Sequence, residues 1–280
     1  MPTDTSATGL KATILIDPER PKARREDVVR MLRNAGIGVS PKEPDFGVVV
    51  GGDGIFSHYG RLISIPLLFV SVRSRETTAS KGYLADVDLD DLPQALEEIG
   101  RKNYQELQYR RLQVSINGSV KGDIFTDVYL EKGADSNCLR YHLGVKGTGI
   151  GFTESAIANG VIICTSAGST GYYSYVDKLR NGHSLEAGKY TQIGTDEVGV
   201  CHIAPVLTKR DGTKETPLRY AMPWGTSIKI TLTRDADARL FGITKSRKGL
   251  RIRVGDQIDL SPSEGKTRVL KLGRAKQSAC

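Results

Sequence analysis

A chain of 280 residues with 39% hydrophobic and 26% charged content has a globular composition, which excludes wholesale disorder and allows a substantial core without disulfide or metal staples. It has no run of eighteen apolar residues, which excludes a membrane-spanning helix. The net charge of +8 is uneven, with 17 Lys and Arg against 7 Asp and Glu from residue 205 onward.

Residues 1–10 are polar and small, lack the basic start and apolar stretch of a secretory signal, and read as a frayed tail. Residues 12–17 (ATILID) are a short apolar strand. Residues 26–35 (EDVVRMLRNA) have helical spacing, with Val28, Val29, Leu32 and Ala35 on one side and Gly36 as the stop. A second strand, 46–50 (FGVVV), runs straight into Gly51-Gly52-Asp53-Gly54, and 65–72 (IPLLFVSV) is a third. Residues 92–108 read as a helix with Leu92, Ala95, Leu96, Ile99 and Leu107 inward. This alternation predicts an α/β N-terminal domain over 1–108 with an open, mostly parallel sheet.

The texture changes near Tyr109. Short β-prone stretches follow at 112–116, 120–130, 160–164, 198–203, 227–232 and 250–260, and Asn117-Gly118 is a hairpin signal. The sequence therefore predicts a second, β-rich and sandwich-like domain over 109–261, with no internal repeat.

Cys138, Cys164, Cys201 and Cys280 stand alone, which fits a reduced cytoplasm rather than a disulfide framework. His58, His142, His183 and His202 are scattered, so no metal site from protein side chains is expected. Glu154, Asp196 and Glu197 read as solvated carboxylates, with a metal or acceptor role as the alternative. Lys146, in a Gly-rich stretch (GVKGTGIG), reads as an exposed lysine, with a phosphate contact as the alternative. The late basic excess is open to three readings: a nucleic-acid footprint, a solvated face, or a site for phosphorylated ligands. No groove-reading helix or RNA-binding signature accompanies it, which favours the last two.

Two motifs carry chemistry. In the first, a buried strand ends in three glycines within four residues. Glycine permits positive φ and close approach to a ligand, so such a loop can aim N–H groups at phosphate oxygens. Asp53 is its one ionisable side chain, able to accept a proton from an attacking hydroxyl or to hold Mg²⁺ beside phosphates. The bland alternative is a tight turn with a solvated aspartate. The loop matches neither the P-loop nor the dinucleotide fingerprint. In the second motif, the strand 160–164 (GVIIC) enters Thr165-Ser166-Ala167-Gly168-Ser169-Thr170-Gly171-Tyr172. Hydroxyls there can bind ribose or phosphate and Tyr172 can stack on a base, but a helix-capping turn explains the stretch equally simply.

The two motifs, in this order, resemble those of the NAD kinase family, which the first motif also relates to diacylglycerol and sphingosine kinases. The resemblance extends through Ile65-Pro66-Leu67-Leu68, Lys81-Gly82-Tyr83-Leu84 and residues 92–114, and is most specific over 159–172. It implies an α/β domain carrying the catalytic loop, a β-rich acceptor-binding domain, and a tail, about 262–280, that returns to the first. It implies ATP with Mg²⁺ as donor, the 2′-hydroxyl of the adenosine ribose of NAD as acceptor, and assembly as a homodimer or homotetramer. Carried over, Gly51, Gly52 and Gly54 cradle the donor phosphates and Asp53 is the general base or orients the hydroxyl. Thr126, Asp127, Asn159, Thr165, Ser169, Thr170 and Tyr172 fall on the acceptor side. Several of these depart from the family pattern. Thr126-Asp127 stands where Asn with an acid is usual, Asn159-Gly160 where Asp-Gly is usual, and Thr165-Ser166-Ala167-Gly168 where Thr-Pro-Thr-Gly is usual. Ile55 replaces a Thr, and Phe241-Gly242 replaces an Asp-Gly.

The leading expectation is an NAD kinase. The alternatives are a kinase of the same fold acting on another nucleoside or small-molecule hydroxyl, a non-catalytic dinucleotide sensor, and, on charge alone, a nucleic-acid binder. Retention of Asp53 favours a kinase over a sensor, since a sensor needs no base.

Overall fold

A computed structural model describes residues 8–17, 23–72, 83–134, 137–181, 191–213, 216–244 and 248–272. The chain divides into two compact units, Met1–Tyr109 with Lys266–Cys280, and Arg110–Gly265.

The first unit contains β1 (Lys11–Ile16), α1 (Arg25–Asn34), β2 (Gly38–Val39), β3 (Phe46–Gly51), α2 (Asp53–Leu62), β4 (Leu67–Ser71), β5 (Val87–Asp88) and α3 (Leu92–Gly100). Its strands run in the order β2-β1-β3-β4 and are all parallel, with β5 alongside β4. Val48, Val50, Leu68 and Val70 pack against Val28 and Leu32 of α1 and Ala95, Leu96 and Ile99 of α3. Alternation turns Phe69 to the other side, where Phe56 of α2 stacks on it with ring centroids 4.7 Å apart. Each such fully buried side chain stabilises by about 1.5–3 kcal/mol.

The structure corrects three expectations here. Residues 8–10 are not frayed: the Thr8 hydroxyl donates to the Gly36 carbonyl at 2.8 Å, and Leu10 packs on the core. The third helix stops at Gly100, not at 108. Lys102 adopts a left-handed backbone (φ 61°), and the N–H groups of Lys102 and Asn103 close back on the carbonyls of Ile99 and Glu98. Residues beyond Asn103 enter a strand, and Leu107 is 41% exposed there rather than inward. Helix α2 had no clear periodic signal in the sequence.

The second unit is built from β6 (Gln105–Ile116), β7 (Ser119–Ile124), β8 (Asp127–Lys132), β9 (Leu139–Gly147), β10 (Ile150–Ala158), β11 (Gly160–Cys164), α4 (Tyr175–Asn181), β12 (Glu197–Ile203), β13 (Leu207–Arg210), β14 (Arg219–Pro223), β15 (Ser227–Leu232), β16 (Ala238–Phe241), β17 (Leu250–Ile252) and β18 (Gln257–Lys271). The chain passes between the units within β6 and again within β18. At its far end β18 runs parallel to β4, with Val269 opposite Leu67.

Within the second unit, β13-β10-β9-β15-β18 form one antiparallel arrangement and β14-β12-β11-β8-β16-β17 another. Alternate residues of both, such as Leu143, Val145 and Ile230 with Val128, Leu130 and Val161, share one core. This is a β-sandwich. The turn between β6 and β7 has Asn117 at φ 52° and Gly118 at φ 76°, the pair of left-handed residues a two-residue hairpin requires. The stretch expected as one strand over 250–260 is broken between β17 and β18, where Gly255 turns at φ 85°.

Glu154 is not the solvated carboxylate its sequence context suggested. It is fully buried and accepts hydrogen bonds from Arg210 Nε at 2.8 Å and the Tyr220 hydroxyl at 2.6 Å. It also pairs with His202 Nε2 at 3.2 Å. Burial pushes its carboxyl up, but the hydrogen bonds from His202, Tyr220 and Arg210 outweigh that and hold it below the usual range. His202 Nδ1 in turn meets the Tyr141 hydroxyl at 2.7 Å. Asp196, by contrast, is 78% exposed and pairs with Arg110, and Lys146 is an exposed residue of β9.

Gly160 lies at the first position of β11, where a Cβ would sit 2.0 Å from the Leu130 carbonyl oxygen and 2.9 Å from Glu131 Cα. A Cβ at Gly144 of β9 would meet its nearest neighbour at 4.0 Å. Gly160→Ala is therefore expected to lower stability by about 3 kcal/mol and Gly144→Ala by less than about 1 kcal/mol, read as urea midpoints. Equal midpoints for the two variants would contradict the backbone contact.

Candidate functional site

Strand β3 is central in the parallel sheet of the first unit, and the chemistry begins at its C-terminal end. Open α/β sheets present ligand-binding turns at this edge. Gly51 is the last strand residue, Gly52 is extended (φ −118°, ψ 178°) and caps the helix, and Asp53 is the first residue of α2. The segment is thus a strand running directly into a helix rather than the loop expected. None of Gly51, Gly52 and Gly54 has a positive φ. A Cβ on Gly51 would come 3.1 Å from Ile55 Cβ, a tight contact that Ile55 would have to relieve, while a Cβ on Gly54 would meet open space.

The Asp53 carboxylate accepts backbone N–H groups from Leu84 at 3.1 Å and Tyr83 at 3.3 Å. Those residues belong to the segment the resemblance picked out, whose Lys81-Gly82 part lies outside the described residues. A carboxylate at the first position of a helix also sits in the favourable end of the helix dipole. The result is an acid held by two backbone N–H groups at the N-terminal end of a helix, the end at which helices bind anions.

In the second unit, residues 125–127 gather the rest. The Thr165 hydroxyl donates to the Phe125 carbonyl at 2.6 Å, and the Thr165 N–H donates to the Thr126 carbonyl at 2.8 Å. The buried Thr126 hydroxyl donates to the Asp127 carboxylate at 3.1 Å, and the Tyr172 backbone N–H reaches the same carboxylate. Burial pushes the Asp127 carboxyl up to about 6, against the hydrogen bonds from Thr126 and Tyr172, which favour the ion.

Residues 165–172 are two short 3₁₀ turns, Ser166–Gly168 and the start of Tyr172–Ser174, leading into α4. No side-chain oxygen caps either 3₁₀ turn, so the segment is a turn leading into a helix without the side-chain cap of the simpler reading. The Ser169 hydroxyl donates to the Ser166 carbonyl at 2.8 Å. With Thr165 and Ser169 both buried and both donating to backbone, each has only lone pairs left to offer a ligand. Thr170 and Tyr172 are partly exposed.

The structure brings Thr126, Asp127, Thr165, Ser169, Thr170 and Tyr172 together. It does not bring Asn159 to them: Asn159 precedes the first residue of β11, whereas Asp127 pairs with Cys164 at the last. Asp53 and the glycines belong to the other unit. Sequence reasoning passed over Tyr129 and Glu131, which share the Asp127 face of β8 and were findable by two-residue alternation. Among the described residues no group of three or more His, Cys, Asp or Glu could hold a metal ion, and no helix is long and apolar enough to cross a membrane.

No protein-family model matches the chain. It is 29% identical over 148 residues to an NAD kinase of Methanopyrus kandleri, a match covering 49% of this chain and 50% of that protein. It is 26% identical over 240 residues to an NAD kinase of Geotalea daltonii, covering 82% and 74%. A third NAD kinase, from Hydrogenovibrio crunogenus, is 32% identical over 173 residues, covering 58% and 55%. The match to the first of these thus spans half the relative's length, and to the second about three quarters. In structure the chain resembles a yeast NADH kinase complexed with NADH, with a TM-score of 0.69, 15% identity, and coverage of 96% of this chain and 84% of that one. It also resembles an NAD kinase from Archaeoglobus fulgidus in complex with ATP, with a TM-score of 0.65, 18% identity and 94% coverage of both. In fold this chain is similar to NAD and NADH kinases, and in sequence it is similar at low identity to NAD kinases.

Proposed function

We propose that this protein transfers the terminal phosphoryl group of ATP to the 2′-hydroxyl of the adenosine ribose of NAD, giving ADP and NADP. The observation that carries the reading is Asp53, a carboxylate held by two backbone N–H groups at the point where the central parallel strand turns into a helix. The naming of the curated relatives and the nucleotides bound by the two structural neighbours support the same chemistry.

In this reading the backbone of Gly51, Gly52 and Gly54 faces the donor phosphates, and Asp53 orients the acceptor hydroxyl and takes its proton as the phosphorus–oxygen bond forms. Phosphoryl transfer asks mainly for positioning and charge neutralisation, so one fixed carboxylate suffices as base. Mg²⁺ would enter with the triphosphate and neutralise its charge. With no cluster of three ligands among the described residues, the nucleotide's own oxygens and water would supply most of its coordination. On the acceptor side, Asp127 accepts ribose hydroxyls, Thr170 and Tyr172 line the pocket, and Thr126, Thr165 and Ser169 hold the backbone that shapes it. Asn159, at the other end of β11, would have to act on a ligand bound there. The reading includes the cytoplasm as location, from the lone cysteines, and a homodimer or homotetramer as assembly.

Asp127 gives a stability signature of its own. Below pH about 4 the carboxyl is protonated in folded and unfolded chain alike. Between about 4 and 6 the folded chain keeps a proton that the unfolded chain has released, so stability falls as pH rises through that window. The charged form then costs on the order of 1–3 kcal/mol above pH 7. Asp127→Asn is expected to be more stable than the parent at pH 8 by that order, with the gap closing as pH falls from 6 to 4, read by urea unfolding across pH. A gap independent of pH would contradict the raised carboxyl.

For the activity, Asp53→Asn should reduce kcat by about 10²–10⁴-fold while ATP affinity stays within a small factor. Product is measured as NADP formed from NAD, ATP and Mg²⁺. Undiminished turnover in Asp53→Asn, or parent enzyme that phosphorylates another nucleoside but not NAD, would refute the reading.

A further inference from the structure

The two N–H groups that hold Asp53 belong to Tyr83 and Leu84, on a short segment that leads into β5. A segment that orients an acid must itself be held. At its far end the Ser71 hydroxyl, on β4, donates to the Asp88 carboxylate of β5. Between these points the ammonium of Lys271, on β18, donates to the Asp86 carboxylate at 2.7 Å and to the Leu84 carbonyl at 3.4 Å. Leu84 thus has its N–H on Asp53 and its carbonyl on Lys271.

The strand pairing explains how β18 reaches this place. Val269 of β18 stands opposite Leu67 of β4, and Val87 of β5 stands opposite Val70 of the same strand. All three strands are parallel, so the last residues of β18 run toward the start of β5. Leu270 and Leu272 are buried with Leu68 and Val70, and alternation turns Lys271 to the opposite face, the one on which α2 packs. Thr267, which shares that face, donates its hydroxyl to the Gly60 carbonyl of α2 at 2.6 Å. One strand therefore ties both the helix that begins at Asp53 and the segment whose N–H groups aim its carboxylate. The Lys271 side chain is only 21% exposed, so the pair with Asp86 is more than a surface contact.

We infer that Lys271 is a positioning residue for the phosphoryl transfer: through the Leu84 peptide it fixes the N–H groups that orient Asp53, with Asp86 balancing its charge. This rests on the reading of Asp53 as the base. With its ammonium engaged by Asp86 and Leu84, Lys271 acts through Asp53 and not on a donor phosphate.

The test measures kcat, and KM for NAD and for ATP, in the parent, Lys271→Met, Lys271→Arg, Asp53→Asn and the double variant Asp53→Asn with Lys271→Met. Amide hydrogen exchange at Tyr83 and Leu84 is followed by NMR in the parent and Lys271→Met. Lys271→Met should lower kcat about 10–100-fold, the usual cost of a misplaced catalytic group, with both KM values within about three-fold. Lys271→Arg, which keeps a donor, should recover most of that loss. In the Asp53→Asn background Lys271→Met should cost less than about two-fold in kcat, because residues that act through one group are not additive. The Tyr83 and Leu84 amides should exchange faster in Lys271→Met. If Lys271→Met fails to fold by circular dichroism, Asp86→Asn, which removes the charge that anchors the ammonium, carries the same comparison. A fully additive loss in the double variant, a raised KM for ATP at unchanged kcat, or unchanged kcat or exchange in Lys271→Met overturns the inference and leaves the kinase reading intact. Undiminished turnover in Asp53→Asn, or a parent that does not phosphorylate NAD, defeats the kinase reading and this inference with it.

Discussion

The backbone of residues 125–127 is approached from two sides at the limit of atomic contact. A Cβ at Gly168 would sit 2.4 Å from the Thr126 carbonyl oxygen, and one at Gly242, which has φ 100°, would sit 2.4 Å from the Asp127 carbonyl oxygen. Real Cβ atoms do not occupy such distances, so both positions are closed to any side chain. The first glycine brings the turn after β11 onto the start of β8, and the second brings the end of β16 onto it. With the Thr165 amide and hydroxyl tying Phe125 and Thr126, and the Thr126 hydroxyl donating to Asp127, the Asp127 carboxylate has little freedom in where it points. A partly buried acid in a raised state of protonation needs this kind of fixed surround, because a mobile one would swing to water and return to its ordinary range.

That constraint explains which family-like features the chain keeps and which it varies. Gly160, Gly168 and Gly242 stand at places where the backbone of another strand or turn leaves no space. Their neighbours Asn159, Ala167 and Phe241 carry departures from the family pattern. At Thr126 the expected amide is lost, and the hydroxyl in its place donates a hydrogen bond to Asp127. Phe241 is different in kind. It exchanges an expected carboxylate for a ring, and the ring has a partner in Tyr129.

Much of the first unit was legible in the sequence because its signals are local. Val28 and Leu32 follow helical spacing, 46–50 is a continuous apolar run, and both are buried as read. The overrun of the third helix to 108 shows where local reading fails. Leu107 continues the spacing by coincidence, whereas the stop is set by a left-handed Lys102, a residue type that does not advertise that conformation. The β9–β10 hairpin was hidden for the opposite reason. Its glycines, from Gly144 to Gly151, read only as a Gly-rich stretch and gave no strand signal, yet β9 and β10 pair at nine positions and only the turn at Gly149 (φ 72°) needs positive φ.

Glu154 marks the limit of what spacing alone can convey. A carboxylate in a strand is solvated unless something neutralises and hydrogen-bonds it, and its partners here come from β12, β13 and β14. No periodicity within β10 announces Arg210 or Tyr220, which lie 56 and 66 residues away. The same holds for Tyr129 and Phe241, which meet only because β8 and β16 are neighbours in the sheet. Strand pairing of this kind is settled by the whole sandwich, so aromatic and ionic clusters that depend on it emerge only once the register is known. Asp53 required none of this, because the strand that ends beside it and the helix that begins at it are consecutive in sequence.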